Sequence, residues 1–395
     1  MNNMNGALFS GKRVLIRVDF NVPLGKNFEI LDDSRIIASL PTIQKVISEG
    51  GRAIILSHLG RPQKGFEKRF SLKHIVKHLK GLLNTPVDFC RDAISNGEAD
   101  VRAMKDGGVL VLENLRFYRE ESSGDEVFAK KLAALGDVYI NDAFGAAHRK
   151  HSSTYVIAKL FPKTKYFGLL LSRELQSLKI VLQNPKRPFT AIIGGAKISG
   201  KIDVIKSLFE KVDNLIIGGG MAYTFAKSIG GNIGNSLLEK EKVSLAKELI
   251  SLAKKKGVNL FLPTDSINAD EFKNDAKIIS SNILNIKNGY IGLDIGSDSI
   301  KLFSKIIQHS KTLVWNGPMG VFEMENFSVG TKKIGEAVSL ATKKGAFSLV
   351  GGGDSIAAVK KFNLEGGVSY ISTGGGAMLK YLEGKELPGV SAIID

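Results

Sequence analysis

The chain has 395 residues, of which 43% are hydrophobic and 24% are charged, and it carries a formal net charge of +16. This length allows two domains that each bury a full core, and the composition is typical of globular proteins. The single cysteine, Cys90, excludes an internal disulfide and a cysteine-based metal site. Because no apolar run is long enough to cross a bilayer and no signal segment is found, we expect a cytoplasmic protein without a membrane partner.

The positive charge permits attraction to nucleic acid, an acidic membrane or small anionic substrates and does not distinguish among them. All arginines lie at or before Arg187, and the basic residues beyond it are lysines and histidine. A rigid guanidinium binds carboxylate and phosphate through paired hydrogen bonds, so the arginines are candidates for substrate contacts. We find no nucleic-acid motif and no aromatic residues interleaved with the basic ones, which predicts no obligatory nucleic-acid partner.

The first half of the chain alternates β-type runs with amphipathic helical runs. One such helix begins near Asp33 and Ser34, and we expect these polar side chains to cap it. Strands separated by helices predict an α/β fold with a doubly wound parallel sheet, whose ligands bind at the carboxyl edge of the strands. The polar residues that we expect at this edge are Arg17, Asp19, Asn21, Arg35, His58, Arg61, Arg116 and Arg149. We call them the basic pocket, and they predict a site for a small acid that carries a phosphate.

A long helix is predicted near the middle of the chain. Apolar residues from Gly168 to Gln183 recur with helical spacing, and Pro185 and Pro188 end the pattern. We therefore predict two doubly wound, Rossmann-like domains joined by a hinge helix, with a tail that docks back on the first domain. The predicted limits are 1–167 for the N-terminal acid-binding domain, 168–185 for the hinge helix, 186–380 for the nucleotide-binding domain and 381–395 for the tail.

The second half places glycines directly after apolar runs. A strand-like run leads into Gly351–Gly353, and Asp354 and a helical run follow. A strand, a glycine turn and a helix direct free N–H groups and the positive end of a helix dipole at an anion. Asp354 adds a carboxylate suited to the Mg²⁺ that accompanies a polyphosphate. Further glycines at Gly218–Gly220, Gly289–Gly296 and Gly374–Gly376 indicate a polyphosphate site along the strand ends.

Two nucleotide-binding motifs and a nucleic-acid ligand are the alternatives to this interpretation. The stretch Gly195–Lys201 has the G-x-x-x-x-G-K spacing of a P-loop, but Ile202 stands where a hydroxyl residue should bind Mg²⁺. We interpret the spacing as coincidence, with Lys197 and Lys201 as two ammonium groups near a helix start. The glycine triplets do not fit the G-x-G-x-x-G spacing of a nicotinamide dehydrogenase. A nucleic-acid binder would require an affinity that falls steeply with salt.

Seven short motifs occur in order across both halves of the chain. They are Asp19-Phe20-Asn21, His58-Leu59-Gly60-Arg61, Glu113-Asn114-Leu115-Arg116-Phe117, Ala147-His148-Arg149, Gly195-Ala196-Lys197, Trp315-Asn316-Gly317-Pro318 and Gly351-Gly352-Gly353-Asp354. This set closely resembles the phosphoglycerate kinase family over essentially the whole chain. The resemblance implies a monomeric, Mg²⁺-dependent enzyme of glycolysis and gluconeogenesis. It implies reversible, in-line phosphoryl transfer, after domain closure, between ATP and the carboxylate of 3-phosphoglycerate, giving ADP and 1,3-bisphosphoglycerate.

The resemblance also implies roles for individual residues. The residues implied to bind 3-phosphoglycerate are Asp19, Phe20, Asn21, Arg35, His58, Leu59, Gly60, Arg61, Arg116, His148 and Arg149. Those implied to bind the nucleotide are Lys197, Lys201, Gly218, Gly292, Asn316, Glu323, Gly352, Gly353, Asp354 and Ser355, with Asp354 holding Mg²⁺. The groups expected around the transferring phosphoryl group are Arg35, Lys197 and the N–H groups of Gly352, Gly353 and Gly375. Met378 and Lys380 depart from the small and acidic residues usual in the family.

Overall fold

The computed structural model describes residues 2–395, which divide into two compact units. Unit 1 comprises the described residues up to Gln176 together with Glu386–Asp395, and unit 2 comprises Ser177–Lys385. The functional domain limits given above stay a prediction. Within residues 2–395, no helix combines the length and the apolar character needed to cross a membrane.

Unit 1 is built on one six-stranded parallel sheet. Its strands are β1 (Arg13–Arg17), β2 (Arg52–Leu56), β3 (Val87–Cys90), β4 (Val109–Leu112), β5 (Val138–Asn141) and β6 (Lys165–Phe167). They lie in the order β3-β4-β2-β1-β5-β6. Arg17 at the end of β1 pairs with Leu56 of β2 and with Asn141 of β5, so the loops that follow these strands open at one edge.

Helices cover the sheet of unit 1. They are α1 (Ser34–Ser48), α2 (Lys73–Leu83), α3 (Gly97–Ala103), α4 (Arg119–Ser123) and α5 (Glu126–Ala133). Ile36, Ile43 and Val46 recur at helical spacing on one face of α1 and are fully buried in the core with the side chains of β1 and β2. This burial of strands between helices confirms the predicted α/β fold.

The predicted cap of α1 is wrong in its details. Asp33 occupies the N-cap position, but its side chain makes no capping hydrogen bond. Asp33 Oδ2 instead lies 2.9 Å from His78 Nε2 of α2, so the carboxylate ties two helices together. The Ser34 N–H donates to Asp32 Oδ1 at 2.9 Å, so a residue one position earlier supplies the local acceptor.

The helix α6 (Leu169–Leu182) contributes residues to both units. Its first turn is held in unit 1 by two polar side chains. The Leu169 N–H donates to Thr42 Oγ1 at 2.9 Å, and the Leu171 N–H donates to Asp142 Oδ1 at 3.0 Å. Burial raises the pKa of Asp142 to about 7, so this carboxyl group takes up a proton more readily than an exposed aspartate.

Unit 2 contains a second six-stranded parallel sheet and two smaller sheets. The strands are β7 (Phe189–Ile193), β8 (Asn214–Ile217), β9 (Asn232–Ile233), β10 (Asn259–Phe261), β11 (Asp265–Ala269), β12 (Ile278–Asn282), β13 (Asn285–Ile286), β14 (Ile291–Ile295), β15 (Thr312–Asn316), β16 (Phe347–Val350) and β17 (Tyr370–Ile371). The large sheet has the order β10-β8-β7-β15-β16-β17. The sequence places the run Gly289–Gly296 with the strands that lead to the polyphosphate site. This run instead contains β14, which belongs to an antiparallel sheet with β11 and β12.

Seven α-helices lie wholly within unit 2 and are interspersed with its strands along the chain. They are α7 (Ile202–Leu208), α8 (Met221–Ser228), α9 (Val243–Lys255), α10 (Ser297–His309), α11 (Val329–Lys343), α12 (Gly353–Lys361) and α13 (Gly375–Leu382). Trp315 of β15 is fully buried in a core with Phe303 of α10 and Ile334 of α11. The chain ends with α14 (Pro388–Ile394), which belongs to unit 1. There Asn141 Nδ2 donates to the Gly389 carbonyl at 2.9 Å, and Lys165 Nζ donates to the Ala392 carbonyl at 2.9 Å.

A buried carboxyl group anchors the start of α11. Asp294 of β14 is 2% exposed, and its Oδ2 accepts from the Gly330 N–H at 2.7 Å. Its Oδ1 accepts from the Ile295 N–H at 2.9 Å, but burial outweighs these hydrogen bonds and raises the pKa of Asp294 to about 7. Between the unfolded pKa, near 4, and this folded pKa, the unfolded chain loses its proton first. Stability from this group is therefore lost as pH rises through that window.

We expect Asp294→Asn to remove this pH dependence, because the amide cannot ionise. Its single oxygen replaces only one of the two acceptors, and the cost of that loss does not change with pH. The unfolding free energy of the variant minus that of the wild type should increase by about 3 kcal/mol from pH 5 to pH 8. Urea unfolding at both pH values measures the difference. A difference that does not change with pH would contradict the assigned pKa.

Candidate functional site

The loop after β1 forms one wall of the basic pocket. Arg35 Nη1 donates to the Asn21 carbonyl at 2.9 Å and lies 3.4 Å from Asp19 Oδ2. Asn21 Oδ1 in turn accepts from the Gly60 N–H at 2.8 Å, which ties this loop to the loop after β2. The Arg35 side chain is 35% exposed, so a ligand can reach it despite the contacts of Nη1 with Asn21 and Asp19.

His58 lies beneath this wall as a neutral imidazole. Burial, followed by the nearby Arg17, Arg116 and Arg35 guanidinium groups, holds the pKa of His58 well below its usual value. Arg17 Nη2 lies 3.2 Å from His58 Nδ1. Because a guanidinium group only donates, Nδ1 must accept, and the ring proton therefore lies on Nε2. Nε2 lies 3.8 Å from Asp19 Oδ1.

Arg17, which the sequence predicts as a member of the basic pocket, is fully buried and offers no surface to a ligand. Its Nε donates to Ser153 Oγ at 2.8 Å, and its Nη2 lies 4.0 Å from Glu121 Oε1. Glu121 is itself fully buried and accepts from Ser153 Oγ at 2.6 Å. The pair Arg17 and Glu121 therefore supports the floor of the pocket. Glu121 was missed from the sequence because no motif marks it out from its acidic neighbours.

Positive groups are crowded on the other side of the pocket. Arg116 Nη1 donates to the Gly60 carbonyl at 2.6 Å, while burial and the charges of Arg17 and Arg149 lower the pKa of Arg116 to about 10. Burial, followed by the charges of Arg17, Arg116 and Arg149, lowers the pKa of His151 to about 3, so this ring is neutral. Arg149 Nε donates to His148 Nε2 at 3.2 Å. Mutual repulsion of these groups would fall when an anion enters, because the anion compensates several charges at once.

The remaining predicted residues of this pocket differ in exposure. Arg61 is exposed, whereas Phe20 and Leu59 are buried and can offer a ligand only backbone groups. Gly60 has a φ of +63°, and a Cβ atom at this position would overlap the Phe70 ring. Only glycine therefore allows the loop after β2 to pass this ring with its N–H directed at Asn21.

Unit 2 contains a cavity of about 460 Å³. Tyr223, Leu237, Phe272, Pro318 and Met319 give it apolar walls, and Gly292, Glu323 and Asp354 also line it. A purine base and its sugar fit such a cavity, since ligand sites combine apolar walls with a few polar groups.

Two glycines that the sequence assigned to nucleotide binding have packing roles at this cavity. A Cβ atom at Gly292 would overlap the ring and hydroxyl of Tyr223, and one at Gly218 would overlap the Met319 sulfur. Gly292 lines the cavity itself, whereas the glycines after β8 that line it are Gly219 and Gly220.

The phosphate loop, Gly351–Gly353, joins β16 to α12. Gly352 is the N-cap of α12 with a φ of +100°, and Gly374 is the N-cap of α13. Neither cap has a side chain that could satisfy the free N–H groups of the first helical turn. A Cβ atom at Gly375 would lie 2.7 Å from Gly352 Cα, so the two helix N-termini meet. Their N–H groups and dipoles are suited to an anion, and we call this place the anion site.

A lysine and an asparagine support this loop. Lys201 Nζ donates to the backbone carbonyl of Asn316 at 3.0 Å and also to its side-chain oxygen. Asn316 Nδ2 donates to the Gly351 carbonyl at 2.7 Å, and Ser355 Oγ accepts from the Gly317 N–H at 2.5 Å. Burial lowers the pKa of Lys201 to about 8, while the Asp354 carboxylate opposes this shift. Lys197 is exposed at the loop before α7.

The residues present fit Mg²⁺ only as a partner of a bound polyphosphate. Within residues 2–395, no group of three or more His, Cys, Asp or Glu side chains could hold a metal ion. Mg²⁺ is commonly held by one or two carboxylates together with substrate phosphates. Asp354 is exposed in the first turn of α12 and lines the cavity, so its carboxylate suits this arrangement.

Each unit contains a parallel sheet with helices. Unit 1 has a basic pocket, and unit 2 has a nucleotide-sized cavity beside the phosphate loop. These features define an α/β enzyme of phosphoryl transfer. The family model described as phosphoglycerate kinase matches residues 4–385. The chain is 50% identical to the phosphoglycerate kinase of Porphyromonas gingivalis, over 98% of each chain, and 50% identical to that of Chlorobium chlorochromatii, over 97% of this chain and 96% of that one. The chain therefore belongs to the phosphoglycerate kinase family.

Solved structures agree with this assignment. The phosphoglycerate kinase of Coxiella burnetii superposes with a TM-score of 0.88 at 42% identity, covering 99% of this chain and 97% of that one. The enzyme of Pyrococcus horikoshii OT3 gives a TM-score of 0.83 at 29% identity, covering 100% and 98%. The predicted family, fold class and activity are confirmed. The chain is a kinase of glycolysis that transfers a phosphoryl group between ATP and 3-phosphoglycerate.

We expect nucleotide binding to weaken as pH rises through about 8, because Lys201 changes there from an ammonium to a neutral amine. The loss of one charge-assisted contact should weaken ATP binding by about tenfold. Calorimetric titration of ATP between pH 7 and pH 9 measures this change. Lys201→Met should bind ATP weakly and without this pH dependence, and an unchanged dependence in the variant would assign it to another group.

Proposed function

We propose that the basic pocket of unit 1 binds 3-phosphoglycerate and that the cavity and phosphate loop of unit 2 bind ATP. The observation that carries this proposal is the meeting of two glycine-capped helix N-termini at Gly352 and Gly375. Two sets of free N–H groups at one point suit the several oxygens of a polyphosphate better than a single carboxylate.

The acid substrate would be held by charge and by neutral donors together. The fork-shaped groups of Arg61, Arg116 and Arg149 suit its phosphate. His58 donates from Nε2 as a neutral group, which suits a hydroxyl or carbonyl oxygen better than a second full charge would. Arg35 lies on the wall of the pocket and carries the charge that we assign to the reacting carboxylate and the transferring group.

No general base is needed for this reaction. The nucleophile is a carboxylate that is already ionised at pH 7, so the enzyme must align it and stabilise the charge of the transferring phosphoryl group. We assign that stabilisation to Arg35, Lys197 and the N–H groups of Gly352, Gly353 and Gly375. Mg²⁺, when bound with the nucleotide at Asp354, supplies further charge neutralisation.

The nucleotide would enter with its base in the apolar part of the cavity. Glu323 is exposed at the cavity. We assign its carboxylate to the hydroxyl groups of the sugar, from which it can accept hydrogen bonds. Asn316 and Ser355 hold the phosphate loop in shape rather than presenting free donors. Gly218 is assigned to close packing behind the cavity.

Several further features belong to this proposal. Direct transfer requires the two substrates to be brought together. We therefore propose that the two domains close, with residues 168–185 as the hinge. We also propose a monomer that acts in the cytoplasm without a nucleic-acid or membrane partner. The net charge of +16 then serves to attract two anionic substrates.

We expect Lys197→Ala to lower kcat by about 100-fold and to change the Kd of ATP by less than about threefold, because the ammonium group acts on the transferring phosphoryl group. Steady-state kinetics and calorimetry measure the two quantities. Lys305→Ala, at an exposed lysine of α10, is the matched control. A raised KM with an unchanged kcat would mean that Lys197 only binds the nucleotide.

We expect Arg61→Ala to weaken 3-phosphoglycerate binding by about tenfold or more and to leave ATP affinity unchanged, because the exposed guanidinium contacts only the acid. Calorimetric titration of each substrate alone tests this. Arg102→Ala, at a largely exposed arginine of α3, should affect neither affinity. An equal loss of both affinities would refute the division of substrates between the units.

A further inference from the structure

The two ends of α13 are held by different parts of unit 2. Its first residue, Gly375, lies against the backbone of Gly352, where a Cβ atom would lie 2.7 Å from Gly352 Cα. Its last residue, Leu382, offers its carbonyl to Ser207 Oγ of α7 at 2.7 Å. The helix therefore reaches from the phosphate loop to α7, against which it packs.

The hydroxyl of Ser207 fills a specific gap at the end of α13. Gly384, with a φ of +77°, donates its N–H to the Tyr381 carbonyl, and the Lys385 N–H donates to the Lys380 carbonyl. These two bonds are those of a Schellman ending, which satisfies some of the last carbonyls of a helix. The Leu382 carbonyl accepts from the Ser207 hydroxyl of another helix, α7. This contact fixes the position of α13 along its axis.

A charge network closes the same junction. Lys385 Nζ lies 2.9 Å from Asp203 Oδ2 of α7 and 2.8 Å from Glu383 Oε2. Lys380, one of the departures from the family pattern, lies 2.7 Å from the same Glu383 oxygen. The side chain of Glu383 is only 7% exposed.

The other end of α7 leads back to the phosphate loop. Lys201 is the N-cap of α7, and its ammonium group donates to Asn316. Asn316 donates to the carbonyl of Gly351. The helix α13 thus contacts the phosphate loop directly, and α7 is linked to it through Lys201 and Asn316. The two helices also pack against each other at Ser207 and Leu382, and we call this set of contacts the frame.

We infer that Ser207 is a positioning residue for phosphoryl transfer, which acts by setting the position of α13 and hence of the Gly375 N–H group. The inference rests on the proposed role of Gly375 at the transferring phosphoryl group. Stabilisation of a transition state depends strongly on the placement of donors, whereas binding of the nucleotide uses many other contacts. A loosened frame therefore lowers kcat more than it raises KM for ATP.

Ser207→Ala should lower kcat by about fivefold, with KM for ATP changed by less than about twofold. Ser207→Thr retains the hydroxyl and should restore kcat to within about twofold of the wild type. Asp203→Asn, at the exposed side of the junction, should lower kcat to a smaller extent and provides a second variant if Ser207→Ala does not fold. Ser251→Ala is the matched control, because its hydroxyl donates to the Lys247 carbonyl of its own helix, α9.

The outcomes separate this inference from the proposed function. An unchanged kcat in Ser207→Ala and Asp203→Asn, beside a lowered kcat in Lys197→Ala, would overturn the positioning role and leave the proposed function intact. A wild-type kcat in all three variants would overturn both. Failure of Ser207→Thr to restore kcat, or an equal loss in Ser251→Ala, would also overturn the positioning role.

Discussion

The proposed site of unit 2 depends on backbone N–H groups at the starts of α12 and α13, to which the cap residues offer no side-chain acceptor. The first turn of a helix leaves several N–H groups without partners, and most helices cap some of them with a side-chain oxygen. At α12 and α13 the cap residues are Gly352 and Gly374, which have no side chain to offer. An anion between the two helices would therefore complete their hydrogen bonding, and this would link the stability of the loop to ligand binding.

The basic pocket of unit 1 follows a related principle with charges in place of N–H groups. Burial and neighbouring positive charge lower the pKa of Arg116 to about 10 and that of His58 well below its usual value. The buried Glu121 offsets part of this repulsion beneath the pocket, next to Arg17 and His151. The net positive charge of the basic pocket and the free N–H groups of the phosphate loop thus suit substrates that each carry phosphate.

The sequence predicted the main features of the fold because apolar runs and glycine turns report directly on buried strands and their ends. It also predicted a glycine turn between a strand and a helix at Gly351–Gly353, which lies between β16 and α12, and its binding of phosphate stays a proposal. It failed where tertiary contacts decide the outcome. Asp33 contacts His78 instead of capping its helix, and β14 pairs in an antiparallel sheet that no local pattern distinguishes from the parallel one.

Buried polar partners were the least predictable part of the site. Arg17 stands at a strand end like the exposed members of the pocket, yet its burial depends on Glu121 and Ser153, which are distant in the sequence. Ser207 likewise has no motif, and only the folded chain brings its hydroxyl to the Leu382 carbonyl. Local patterns report which residues end a strand or a helix, whereas the choice of partner depends on packing between elements.

The most direct test of the account observes the N–H groups themselves. In ¹⁵N-labelled protein, the amide signals of Gly353 and Gly375 are followed as ADP is added, with adenosine as a ligand that lacks phosphate. The account predicts large shifts and slowed hydrogen exchange at both glycines with ADP and little change at either with adenosine. Signals at both glycines that stay unchanged when ADP is bound would contradict the claim that paired helix N-termini bind the phosphates.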